Sequence, residues 1–169
     1  MITTATAYDA RAGQLWTDTT SEFLTFALGE EEYGVAILKV QEIRGYESVT
    51  RLPDAPNYIK GVINLRGIIV PVVDMRLKFH LARAEYGPTT VMIVLNVGDR
   101  VVGMVVDSVS DVTRLEPQQI RAVPEVGATI DSQFITGIGT ADDRMLILLD
   151  IERLMGSAEM GLVAQMQPH

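Results

Sequence analysis

The second half of the chain repeats the first. Shifted by 69 positions, Leu28-Gly29-Glu30 falls on Val97-Gly98-Asp99, and Gly34, Ile37, Val40, Glu42 and Ile43 fall on Gly103, Val106, Val109, Asp111 and Val112. Further on the shift is 76: Gly61 falls on Gly137, and Asp74 falls on Asp150. Apolar runs precede both Asp residues, Pro71-Val72-Val73 in one and Ile147-Leu148-Leu149 in the other. The difference, 76 − 69 = 7, fits a longer loop near 122–133. A single Gly or Val match means little, but matched order with one gap predicts two similar units. Units of roughly 65–75 residues are marginal alone, so they are expected to pack together and leave a groove at their junction.

The units read as all-β. Glu22 to Leu28 and Tyr33 to Ile37 flank a glycine break and predict a hairpin. Pro53-Asp54-Ala55-Pro56 is a loop, and Gly61 to Asn64 and Ile68 to Val73 form a second pair of runs. Pro71 inside the latter predicts an edge strand or a bulge. Asp74 can cap a short helix over Met75 to Phe79. After Gly87-Pro88 come strands at Val91–Leu95, Arg100–Val106 and Val109–Leu115, then a first helical turn carrying Pro117. Met145–Leu149 is the last strand, and Asp150 can cap a terminal helix. Short strands with frequent turns favour small barrels. The expected division is a flexible leader over 1–21 containing Trp16, one barrel over 22–86, a second over 87–155, and a helix or tail over 156–169.

Composition removes whole classes of function. A net charge of −8 argues against a surface that tracks nucleic-acid phosphates or a basic membrane patch. With no Cys there is no disulfide, thiolate zinc site or Cys nucleophile, and with two His there is no three-His metal site. The longest apolar run, Ile68 to Val73, is far below the about 20 residues of a membrane span. No signal peptide is visible, so the expectation is a soluble cytoplasmic protein. No nucleophile elbow, phosphate loop or zinc helix is present. His80 reads as a surface or helix-end residue, and Asp142-Asp143 as a solvated turn rather than a metal site. Asp107 and Asp111 are four apart with no third ligand in view, and no cofactor is expected.

A binding surface is what remains. Val40 and Ile43, and likewise Val109, Val112 and Leu115, are apolar residues near the unit edges, where core packing is the plain alternative. Arg66 sits in a tight turn, Asn64-Leu65-Arg66-Gly67, and either points to solvent or pairs with a carboxylate, for which Glu42 is the candidate. Gly61, Asn64 and Gly67 are expected to shape the turn.

These residues resemble a known family. Glu22 to Phe26, Tyr33-Gly34-Val35, Lys39 to Ile43, Tyr58 to Gly67, Gly103 to Asp107 and Leu146 to Asp150 are similar to the CheW family of chemotaxis coupling proteins. The Ile59-Lys60-Gly61-Val62-Ile63-Asn64-Leu65-Arg66-Gly67 stretch, followed by Ile69-Val70-Pro71-Val72-Val73-Asp74, carries most of the specificity. The resemblance covers Glu22 to about Met160. It implies two SH3-like five-stranded β-barrels and a non-enzymatic adaptor. It implies two partners, the cytoplasmic tip of chemoreceptors and the regulatory domain of the histidine kinase CheA. The resemblance places the receptor in the groove between the barrels, near Arg66, and carries over Glu42 as functional. On this reading the receptor-coupling set is Val40, Glu42, Ile43, Arg66, Val109 and Val112.

Other readings fare worse. A module of a CheV-type or other two-component system fused to a receiver would need an α/β segment for which no residues remain, and the regulatory end of CheA would need kinase motifs upstream. A small metalloenzyme would rest on Asp142 and Asp143 alone. An oligonucleotide-binding barrel conflicts with the charge and the single Trp.

Overall fold

The computed structural model describes residues 21–79, 86–123 and 134–156. Trp16, His80, residues 124–133 and the tail beyond Gly156 lie outside them, so the expectations for those segments do too. Among the described residues, eleven strands run in the order β1 (Ser21–Leu28), β2 (Glu31–Ala36), β3 (Val40–Gly45), β4 (Ile59–Leu65), β5 (Ile68–Asp74), β6 (Val91–Val97), β7 (Arg100–Val106), β8 (Ser108–Leu115), β9 (Ile120–Arg121), β10 (Ile135–Ala141) and β11 (Arg144–Leu149). Two short helices, α1 (Met75–Lys78) and α2 (Ile151–Met155), follow β5 and β11. Asp74 and Asp150 cap them, accepting from the backbone N–H of Arg76 and Arg153.

The strands make two sheets, and neither sheet is one half of the chain. Sheet I has the order β9-β10-β11-β2-β1-β8, and sheet II has the order β3-β6-β7-β5-β4. The first hairpin of each repeat has therefore crossed over: β1-β2 joins the later strands of the second repeat, and β6-β7 joins those of the first. Sheet membership does not follow the expected 86/87 boundary.

The exchange is reciprocal down to the register. Phe26 faces Val109 and Leu24 faces Val112 in sheet I, while Leu95 faces Val40 and Ile93 faces Ile43 in sheet II. Leu148 pairs in parallel with Gly34, and Val72 with Gly103. Both equivalent hairpins carry a bulge at the same place, between Ile59 and Gly61 and between Ile135 and Gly137. The sixth strand of sheet I is the two-residue β9, which pairs with β10. Sheet II has a lone Thr50–Val62 bridge in the corresponding place. Each sheet thus curls on itself as an SH3-like barrel.

Three cores follow. Ile63, Leu65, Val70, Val72, Met92, Val94 and Val105 fill sheet II, and Leu115, Ala141, Leu146 and Leu148 fill sheet I. The largest core lies between the sheets, where Leu24, Phe26, Tyr33 and Val35 meet Ile93, Leu95, Val102 and Met104. Burying this shared face, at about 25 cal/mol per Å² of apolar surface, is what joins two units too small to stand alone.

Pro71 is not on an edge strand. β5 is flanked by β4 and β7, and Pro71 is fully inside. Pairing with β7 begins only at Val72, so the missing N–H of Pro71 deprives that neighbour of nothing. The bulge lies on the adjoining strand β4.

Candidate functional site

β3 is an edge strand, and its alternation sets the site. Glu42 and Arg44 share one face and are half-buried, while the bulge between Val40 and Glu42 puts Val40, half-buried, on the other face with the exposed Ile43. Arg66 reaches this strand from the β4–β5 turn. Arg66 and Gly67 both have positive φ, 52° and 88°, as a two-residue type I′ hairpin turn requires. The Asn64 side chain accepts from the Gly67 N–H at 2.8 Å and fixes the turn. An Arg in this region of backbone space is uncommon and strained, and such residues gather at functional positions.

The Arg66 guanidinium donates through Nη2 to Glu42 Oε1, so the expected pair is present. Glu42 Oε2 also accepts from Arg44 Nη1 at 3.3 Å, and Arg44 Nη2 donates to Glu47 at 2.7 Å. The Arg66 hydrogen bond outweighs burial and holds the Glu42 carboxyl below the usual carboxylate range, and Arg44 adds a smaller effect in the same direction. The arrangement ties one edge strand of sheet II to the tip beside the other. It leaves Arg66 oriented but 63% exposed, with further guanidinium donors available for a carboxylate or helix-end carbonyls.

The other expected residues divide between the sheets. Val40 and Val109 are half-buried against the central core. Ile43 and Val112 are their exposed neighbours at equivalent points of β3 and β8, which are edge strands of different sheets. Leu115 is fully buried in the sheet I core and is packing alone. Gly61 is not a turn residue. It lies within β4 at φ 150°, where a Cβ would stand 2.1 Å from the Thr50 carbonyl oxygen, so it permits a close strand approach. Arg44 was missed by the sequence reading, although its two-residue spacing from Glu42 was the signal.

At the corresponding place in sheet I the chemistry is inverted. Asp142 and Asp143 form the same turn, at φ 49° and 64°, where sheet II has Arg66 and Gly67. Asp111 stands where sheet II has Glu42. A cleft of about 300 Å³ opens there, lined by Asp111, Val112, Arg114, Gln119, Asp142 and Arg144 among others. Among the described residues, no three His, Asp or Glu side chains converge in a way that could hold a metal ion, and no helix is long and apolar enough to cross a membrane.

Known proteins share this sequence and fold. The CheW-like domain family matches residues 22–159. A chemotaxis protein CheW of Klebsiella aerogenes is 58% identical over 142 residues, covering 84% of this chain and 86% of that protein. A probable chemotaxis protein CheW of Rhizobium etli is 37% identical, covering 82% and 89%. The crystal structure of the scaffolding protein TtCheW from Thermoanaerobacter tengcongensis superposes with a TM-score of 0.77 at 32% identity, covering 82% of this chain and 94% of that one. The repeated barrels, the Asn64-to-Gly67 turn and these likenesses agree, and the chain belongs to the CheW family of chemotaxis proteins.

Proposed function

We propose that this chain is a non-enzymatic adaptor that couples the cytoplasmic tips of chemoreceptors to the histidine kinase CheA. The observation that carries the reading is Arg66: a cation held at positive φ in a tight turn, oriented by Glu42, and still open to solvent. A turn that fixes the backbone leaves less entropy to lose on binding. A receptor tip is a helical bundle, so one of its helices can lie along an apolar surface with a few polar anchors. Val40, Ile43, Val109 and Val112 offer such apolar positions, with Glu42 and Arg66 as the anchors.

The kinase regulatory domain is expected to meet the adaptor barrel to barrel, through exposed apolar strand edges, with a few residues dominating affinity. The protein would then act in the cytoplasm, recruited to receptor arrays beneath the membrane. Pull-down with CheA and with receptor signalling fragments tests the reading. Both are expected to be retained, and loss of both would overturn it. Incubation with labelled ATP should leave the chain unlabelled, and stoichiometric label would contradict an adaptor.

A further inference from the structure

The chain passes between the sheets twice, at residues 37–39 and at Asp107, and each crossing is gripped by the helix of the opposite repeat. At the second crossing, Arg76 of α1 donates to Asp107 Oδ1 at 3.0 Å, and Asp107 Oδ2 accepts from the Gly29 N–H at 2.8 Å. At the first, Lys39 donates to Glu152 of α2 at 2.7 Å. Each joint is therefore an ion pair between a crossing and a helix. In one the helix supplies the cation, and in the other it supplies the anion.

The joints differ in their surroundings. Arg76 is 1% exposed and also bonds both oxygens of the buried Asp74, while Tyr86 lies against it with its ring 4.7 Å from the guanidinium carbon. Lys39 and Glu152 are 38% and 53% exposed and form a single bridge. Water and salt reach both partners of the Lys39–Glu152 joint, whereas at the Arg76–Asp107 joint they reach only Asp107, which is 36% exposed.

We propose that Lys39 and Glu152 are positioning residues that form a releasable ionic latch, and that the barrels turn about the Arg76–Asp107 pin when it opens. The consequence for partners rests on the adaptor reading: the latch sets the relative angle of β3 and β8, the two strands that carry the apolar coupling positions.

The chain has no Cys, so spin labels can be placed at Asn96→Cys on β6 and Thr140→Cys on β10, both exposed and on different sheets. Distances between them are measured on the free, full chain. Raising NaCl to 1 M, which shortens the screening length to about 3 Å, is expected to broaden the distribution by several ångströms. Glu152→Lys should broaden it at low salt, and Lys39→Glu combined with Glu152→Lys should narrow it again. A distribution unchanged by both salt and Glu152→Lys would overturn the latch, and the salt arm needs no variant at the latch. Affinity of the same proteins for a receptor signalling fragment is read in parallel, with at least a three-fold change expected for Glu152→Lys. Broadening with unchanged affinity would overturn the positioning role. Failure of the unsubstituted chain to bind receptor or CheA would count against the adaptor reading alone.

Discussion

Sheets I and II share their strand order, register and bulges, yet they place charge differently. Sheet II closes its edge with Glu42 and Arg66, whereas sheet I presents Asp111 near Asp142 beside an open cleft. Sheet II also receives the Asp74–Arg76–Asp107 network, in which Asp74 and Arg76 are buried and Asp107 is partly exposed, while the equivalent end of sheet I has Asp150 with a loose Arg153 contact at 3.9 Å. A duplicated fold fixes backbone and core, and leaves the rims free to diverge. The residues that most distinguish the two copies are therefore the ones to test.

The largest effect is expected at the Asp74–Arg76–Asp107 network. Removing one partner leaves a buried charge uncompensated, so Arg76→Ala should cost about 3–5 kcal/mol in urea unfolding. Lys39→Ala, at the exposed equivalent joint, should cost far less. Equal losses would break the distinction between a buried and an exposed joint. The network also predicts acid lability. Burial alone would raise the Asp74 pKa, but hydrogen bonds from Arg76 and Tyr86 outweigh it and hold the carboxyl below its ordinary 3.8. A depressed folded pKa adds stability above that ordinary value, and the gain is lost as pH falls toward the folded value. The acid limb of a stability–pH curve should therefore be shallower in Asp74→Asn than in the unsubstituted chain.

Next come the equivalent bulge glycines. A Cβ at Gly61 meets the Thr50 backbone, whereas one at Gly137 lies 2.8 Å from the Ile120 side chain and 3.0 Å from the Arg121 carbonyl. Gly61→Ala should cost about 2–4 kcal/mol, with strained backbone adding to the clash, and Gly137→Ala about 1. A reversed order of melting temperatures would contradict the stated reason for each glycine. A smaller effect is expected at high pH. Burial, aided by Glu31, pushes the Tyr33 hydroxyl up from 10.0 to about 12. A raised folded pKa adds stability that is present below pH 10 and lost between pH 10 and about 12. Tyr33→Phe should flatten that part of the curve, and an unchanged slope would place the alkaline loss elsewhere.

Much of this was legible in the residues. The repeat, the hairpins and both Asp caps are local or periodic signals. The Glu42–Arg66 pair followed from a turn that aims one Arg at a strand carrying one suitable acid. The hairpin exchange was not legible, because contiguous and exchanged barrels bury the same residues in the same register. The Arg76–Asp107 contact was hidden for a related reason: only the exchange brings α1 against the second crossing. Pro71 misled because a strand interior on both sides can still have its pairing start one residue later.

The sharpest test of the account uses the two equivalent turns. Glycine at either position relieves a positive φ, worth about 1–2 kcal/mol, and concedes about 0.4–1 kcal/mol to a looser unfolded chain. Arg66→Gly and Asp142→Gly should therefore both keep melting temperatures within a few degrees of the unsubstituted protein. Receptor-coupled phosphorylation by CheA is then measured with each variant as the only adaptor. Arg66→Gly should lose most of the coupled activity and Asp142→Gly should retain it. Full coupling by a folded Arg66→Gly protein would contradict the central claim that Arg66 is a functional anchor.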